Sequence, residues 1–189
     1  MFGMELGLSV IKLDKANIQR YLSDLLEVET LVHLKRGHRY STELWGENQF
    51  LAELPGKFEL SFGVVKSEKL IAFLICSETR PGVCHVHRVA LHPKHPGDNI
   101  GSKLMFRSFM EWKNMPQYHM ITGIIRADHR LSVPFAKRLG AQIADKPFMT
   151  NLFEQTGRSG VRLFDNYFVD EYGIRYVLIY ILKEEKEDG

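Results

Sequence analysis

Residues 84–105, CHVHRVALHPKHPGDNIGSKLM, constrain the chain more than any other stretch. Across residues 84–91, His85, His87, Val89 and Leu91 alternate with Val86, Arg88 and Ala90, the period-2 pattern of a strand. His92-Pro93 ends it, because proline cannot donate to a sheet ladder. Residues 94–98 hold a proline, a glycine and an aspartate, a turn composition. Asn99 suits a helix cap, and residues 100–113 carry helical spacing. Strand, tight turn and helix in succession leave unpaired N–H groups at the positive end of a helix dipole. That arrangement favours an anion, most often a phosphate.

Around this unit, residues 8–13 predict a strand. Residues 15–33 predict a helix capped by Asp14, and 41–54 a second one capped by Ser41 or Thr42. Residues 59–66 and 70–77 read as strands joined by Ser67-Glu68-Lys69, the latter apolar enough for a strand covered on both faces. Residues 118–127 read as a strand in which Gly123 signals a bulge or a close approach. Ser132 caps a helix over 133–139, ended by Gly140. Residues 142–160 resist assignment, and strands over 161–169 and 174–183 finish the chain. The order β α α β β β α β α β β implies a mixed α/β fold of the α+β type. Its sheet is expected to be mostly antiparallel, with about seven strands and about four flanking helices. Residues 1–189 are expected to form a single domain with a solvated tail at 183–189.

Composition excludes several classes. A net charge of +2 gives no footprint for nucleic acid. Two cysteines, Cys76 and Cys84, make neither a zinc nor a disulfide framework and read as buried thiols. No apolar run approaches the ~18 residues of a membrane helix, and the first residues lack a secretory pattern. The expectation is a cytoplasmic protein without a membrane partner.

The organising stretch resembles motif A of the GCN5-related N-acetyltransferases (GNAT). Val89 to Pro93 corresponds to the strand end, and Pro96-Gly97-Asp98-Asn99-Ile100-Gly101 to the family's Q/R-x-x-G-x-G/A loop. Pro96 replaces the basic or amide residue there, and Asn99 the first glycine. Residues 127–141 resemble motif B, with His129 at its Asn position, Phe135 and Gly140 matching, and Ala136 where many members carry a tyrosine that protonates the leaving thiolate. The element order over residues 8–183 is also the family's. The resemblance implies an N-acetyltransferase that takes acetyl-CoA as co-substrate and acts on a primary amine of a small molecule or peptide by direct attack in a ternary complex. It assigns Val89, Ala90 and Leu91 to the pantetheine arm. Pro96, Gly97, Asp98, Asn99, Ile100, Gly101 and Ser102 would hold the diphosphate, and His129 and Phe135 would border the cofactor.

Amine acetylation needs a base, and histidine titrates near neutrality. His85 and His87 share one side of their strand. Their spacing resembles the strand of serotonin N-acetyltransferases, in which two histidines serve acid/base roles. His87 is the first candidate and His85 the second, against the plainer reading that both pack in the sheet. His92 and His95 raise a metal, but they lie beyond the strand, and none is expected. Lys94 and Lys103 flank the phosphate loop, and His33, His38, Tyr40 and Trp45 lie where the family builds its acceptor site. Alternatives are transfer of a longer acyl chain, with 142–160 lining a larger pocket, and a catalytically inert acyl-CoA binder. Apolar residues 177–182, read as an edge strand, permit a homodimer.

Overall fold

A computed structural model describes residues 7–36, 44–95, 99–129 and 132–183 of the chain. Among them nine strands belong to one sheet, two more than the sequence suggests, and there are seven helices rather than about four. The chain divides into two compact units, Met1–Ser77 with His87–Met115, and Glu78–Val86 with Pro116–Gly189.

In the first unit, β1 (Leu8–Lys12) pairs antiparallel with β2 (Phe62–Lys66), and β2 with β3 (Lys69–Arg80). Lys66 pairs with Lys69, so the hairpin turn is two residues rather than three. Ser67 and Glu68 both take positive φ, 49° and 65°, as a two-residue turn of this hand requires. The single helix expected over 15–33 is two, α1 (Lys15–Arg20) and α2 (Leu22–Arg36). They meet at Tyr21, where Tyr21 N–H still donates to the Asn17 carbonyl and Leu25 N–H to that of Tyr21. The hydrogen-bond ladder thus passes through the bend, and the buried Tyr21 ring joins the core.

The helix expected over 41–54 is only α3 (Glu47–Leu51), because Gly46 is extended. The proposed caps Ser41 and Thr42 lie outside the described residues. After α3, Leu54-Pro55-Gly56-Lys57 makes a tight turn: Gly56 sits at φ 68°, ψ −2°, and Lys57 N–H donates to the Leu54 carbonyl at 3.1 Å. Proline before a left-handed glycine is the signature of a type II turn. It leads into α4 (Lys57–Leu60), where the sequence suggested the start of a strand. α5 (Ile100–Lys113) has the bounds its spacing predicts. The core gathers Ile18, Leu25 and Val28 from the helices with Phe50, Phe73, Ile75 and Ala90.

β4 (Val83–Leu91), like β3, runs through both units. Residues 83–86 pair in parallel with β5 (Met120–Arg126) in the second unit. β5 pairs antiparallel with β9 (Arg175–Leu182) without a register shift, so Gly123 marks no bulge; a Cβ there would stand 3.5 Å from Ile179. α6 (Ser132–Arg138) follows. Residues 142–160 hold β6 (Gln142–Ile143) and α7 (Lys146–Gln155), whose start is capped by Asp145 with Pro147 in its first turn. The strand expected over 161–169 is a small hairpin, β7 (Arg162–Leu163) and β8 (Phe168–Val169). β9 is interior, with β5 on one side and β6 and β8 on the other. It is therefore not the edge strand that the sequence suggested for residues 177–182, although β6 and β8 cover its second side only in part. No helix among the described residues is long and apolar enough to cross a membrane.

Candidate functional site

His87 stands near the middle of β4 in the first unit. Its Nε2 lies 2.7 Å from Oγ of Ser77, a buried residue of β3. The Trp45 ring lies 6.3 Å away, centroid to centroid. Burial, and then the charge of Lys57, hold the His87 pKa below the ordinary histidine value. Both causes penalise the imidazolium, so the ring is neutral at pH 7 and ready to take a proton.

The same Trp45 ring receives the guanidinium of Arg88 at 5.6 Å. Arg88 grips Glu29 of α2 with two hydrogen bonds, Nε to Oε2 at 3.1 Å and a second from Nη2 to Oε1. Glu29 is buried, and its Oε1 also accepts from Trp45 N–H at 3.3 Å. Burying a carboxylate is costly unless its oxygens find donors, and these three hydrogen bonds supply them.

Lys57 is 0% exposed. Its Nζ donates to the carbonyls of Gln49, Phe50 and Ala52 at 3.2, 2.7 and 2.6 Å. Three ammonium hydrogens meet three acceptors at the C-terminal end of α3, where helix carbonyls lack intrahelical partners. Burial pulls its pKa down to about 8. The cation therefore persists at neutral pH but titrates far sooner than a surface lysine. Phe50, one of the residues it holds, packs edge-on against Trp45 at 5.5 Å and Phe73 at 5.3 Å.

His85 lies on the β4 segment belonging to the second unit. Its Nδ1 stands 2.8 Å from Thr122 Oγ1, which donates to the Cys84 carbonyl at 3.2 Å.

Of the cofactor candidates, Val89 is 36% exposed while Ala90 is buried in the core, and Leu91 is half-buried. Only the backbone of Ala90 can therefore meet a ligand. Pro96, Gly97 and Asp98 lie outside the described residues, as do His38 and Tyr40. Asn99 adopts φ 51°, ψ 32°, the left-handed conformation that asparagine tolerates in place of glycine. It makes no side-chain cap, contrary to the expectation that it would, so it does not occupy the N–H groups of the first turn of α5. Ile100 is buried, Ser102 is half-buried, and a Cβ built on Gly101 meets nothing within 4 Å. Open space above Gly101, with no acidic residue in the first turn, fits a phosphate-bearing group.

In the second unit, His129 Nδ1 accepts from Ser132 N–H at 3.2 Å and lies 2.8 Å from Ser132 Oγ, so the ring caps α6. Phe135 is half-buried beneath the Arg138 guanidinium at 5.6 Å. Ala136 is buried among Ala141 and Ile179, leaving no hydroxyl at the motif B tyrosine position. The His92 and His95 rings meet edge to face at 5.3 Å, and His92 Nδ1 accepts from Lys94 N–H. Among the described residues no three His, Cys, Asp or Glu side chains gather as metal ligands.

The sequence pointed to His87 and Trp45 of this cluster but not to Ser77, Glu29 or Lys57, which the fold brings beside them. A proline-glycine turn directly after a helix was the available signal for Lys57; a serine in an apolar strand and a glutamate in a helix gave none.

The sequence model of the Acetyltransferase (GNAT) family matches residues 22–141. No curated protein matches the chain in sequence. The fold is similar to the ribosomal-protein-S18-alanine N-acetyltransferase from Escherichia coli, at 15% identity, TM-score 0.65, covering 96% of this chain and 98% of that one. It is similar to Arabidopsis thaliana Naa50 in complex with the bisubstrate analogue CoA-Ac-MVNAL, at 12% identity, TM-score 0.61, covering 94% and 100%. It is also similar to yncA, a putative acetyltransferase from Salmonella typhimurium with its cofactor acetyl-CoA, at 13% identity, TM-score 0.57, covering 96% of each.

Proposed function

The chain belongs to the GNAT acetyltransferase family, and from that premise we propose that it transfers an acetyl group from acetyl-CoA to a primary amine by direct attack in a ternary complex, with His87 as the base. One observation carries the choice of base: a neutral imidazole with Ser77 within hydrogen-bond distance of Nε2 and Trp45 packed nearby. An amine attacks only as the free base, so its proton must leave. With Ser77 at Nε2, proton uptake falls to Nδ1, directly or through a water. Once the ring is protonated, Ser77 Oγ accepts from Nε2–H and steadies the imidazolium, the logic of a base oriented by a third group. His85 is the second candidate for the same role.

The co-substrate would lie along Val89, Ala90 and Leu91 through backbone groups, with its diphosphate at residues 96–102. The left-handed Asn99 and the open space at Gly101 support that cradle. The assignment of His129 and Phe135 to the cofactor rests on the family resemblance alone. Acetyl-CoA supplies the activated acyl group as a thioester. The argument for a longer acyl chain weakens, because Met149, Leu152 and Phe153 of α7 pack into a core with Ala144, Phe168 and Leu178.

The test is binding, then turnover. Acetyl-CoA should raise the melting temperature, since a ligand that binds only the folded state stabilises it. Gly101→Glu should fold normally, because its side chain enters open space and its charge suits a helix start. It should nevertheless lose the acetyl-CoA shift. An undiminished shift in that variant would sink the diphosphate site. Acetyl-CoA consumption with a panel of small amines and peptide N-termini then identifies the acceptor; binding without turnover on any of them would indicate the inert reading.

A further inference from the structure

Lys57 is absorbed by none of the steps above, yet it is a fully buried cation whose three donors all close on one helix end. Such a group is costly to bury, and an apolar side chain of similar length would fill the space without that cost. Its geometry is specific. It holds the carbonyls of Gln49, Phe50 and Ala52, and Phe50 forms the contact with Trp45 that continues to His87.

We propose that Lys57 is a positioning residue for His87: it tethers the C-terminal end of α3 so that Phe50 and Trp45 are held beside the imidazole, and it sets the charge that ring experiences. The inference rests on His87 being the base. Around His87, β3 contributes the uncharged Ser77 hydroxyl, and the segment before α3 contributes Trp45. On β4 itself Arg88 follows, but its charge is matched by Glu29 of α2 in a two-bond ion pair. Lys57 Nζ donates to backbone carbonyls, which carry no net charge to offset it, and its cation lowers the His87 proton affinity. A cation held there discourages a second cation on the ring, so the histidine stays a base at lower pH than it otherwise would.

The test needs no acceptor, so it stands apart from whether acetyl transfer is ever found. The ring-proton NMR titration of His87, assigned by its loss in His87→Gln, is recorded for the wild type, Lys57→Met and Lys57→Arg. The wild-type midpoint should lie below the ordinary ~6.5. Lys57→Met should move it up by several tenths of a pH unit and weaken the cross-relaxation between the Trp45 and His87 rings. Lys57→Arg, which keeps the charge, should retain the low midpoint. An unmoved midpoint and intact ring contact in Lys57→Met would overturn the proposal. Should Lys57→Met fail to fold, the wild type decides against Lys57→Arg. The wild-type His87 resonance should show a second, smaller step near the lysine's pKa of about 8, absent from the arginine variant. No second step in the wild type overturns the proposal equally.

Discussion

His87 and His85 stand two residues apart on one strand, and each has a hydroxyl within 2.8 Å, yet their surroundings make them different reagents. Around His87 sit a buried serine, an indole ring and the influence of a buried cation. All of these bear on how readily the ring takes a proton. Around His85 the hydroxyl also donates to a backbone carbonyl, which ties the ring to the β4–β5 ladder. The proposal thus gives the same residue type at the same spacing a chemical role in one unit and an architectural one in the other. What separates them is burial and charge, neither of which the strand pattern carries.

The largest expected effect tests that division directly. His87→Ala should lower kcat by ~10²–10⁴-fold on a verified acceptor, the usual loss for a positioned base, with acetyl-CoA binding unchanged. His85→Ala should stay within about tenfold, the scale of one hydrogen bond. A reversed order would break the comparison. The wild-type rate should fall with acid only below ~6.5, because a depressed pKa keeps the base neutral to lower pH.

Stability comes next. Lys57→Ala should cost about 3 kcal/mol in urea unfolding at pH 7, since it strips a buried partner from three carbonyls and leaves a cavity. Its pH signature sharpens the point. The folded pKa of Lys57 is about 8 against 10.5 for the free side chain, so between these values the unfolded chain binds more protons. Wild-type stability attributable to this residue should therefore rise with pH across that window, and the alanine variant should lack the rise.

The smallest effect compares the two hydroxyls. Ser77→Ala should lower kcat several-fold with little loss of stability. Thr122→Val should leave kcat unchanged and cost about 1 kcal/mol, the net worth of a buried hydrogen bond. Equal rate losses from the two would erase the distinction between the histidines.

Much of the fold was legible because it rests on local rules. The bounds of α5 followed from apolar spacing and the turn before it, and the buried run of β3 from unbroken hydrophobicity. α7 was missed although Asp145 before Lys146-Pro147 is a helix-start signal, because Phe148 and Phe153 read equally well as strand residues. Residues 161–169 looked continuous in composition, but the chain turns back on itself there as β7 and β8. The interior position of β9 was not legible at all, since pairing on its second side comes from the short strands β6 and β8.

By itself the sequence determined the strand that ends at Leu91 and the helix over 100–113, and with their motif the family, because those features depend on neighbours a few positions apart. Tertiary structure alone gave the two histidines the different surroundings on which the proposed choice of base rests. Ser77 is ten positions from His87, and Lys57 thirty. Glu29 is fifty-nine from the arginine it holds. Proton affinity depends on the charges, donors and solvent within a few ångströms, and only folding brings those groups to that distance.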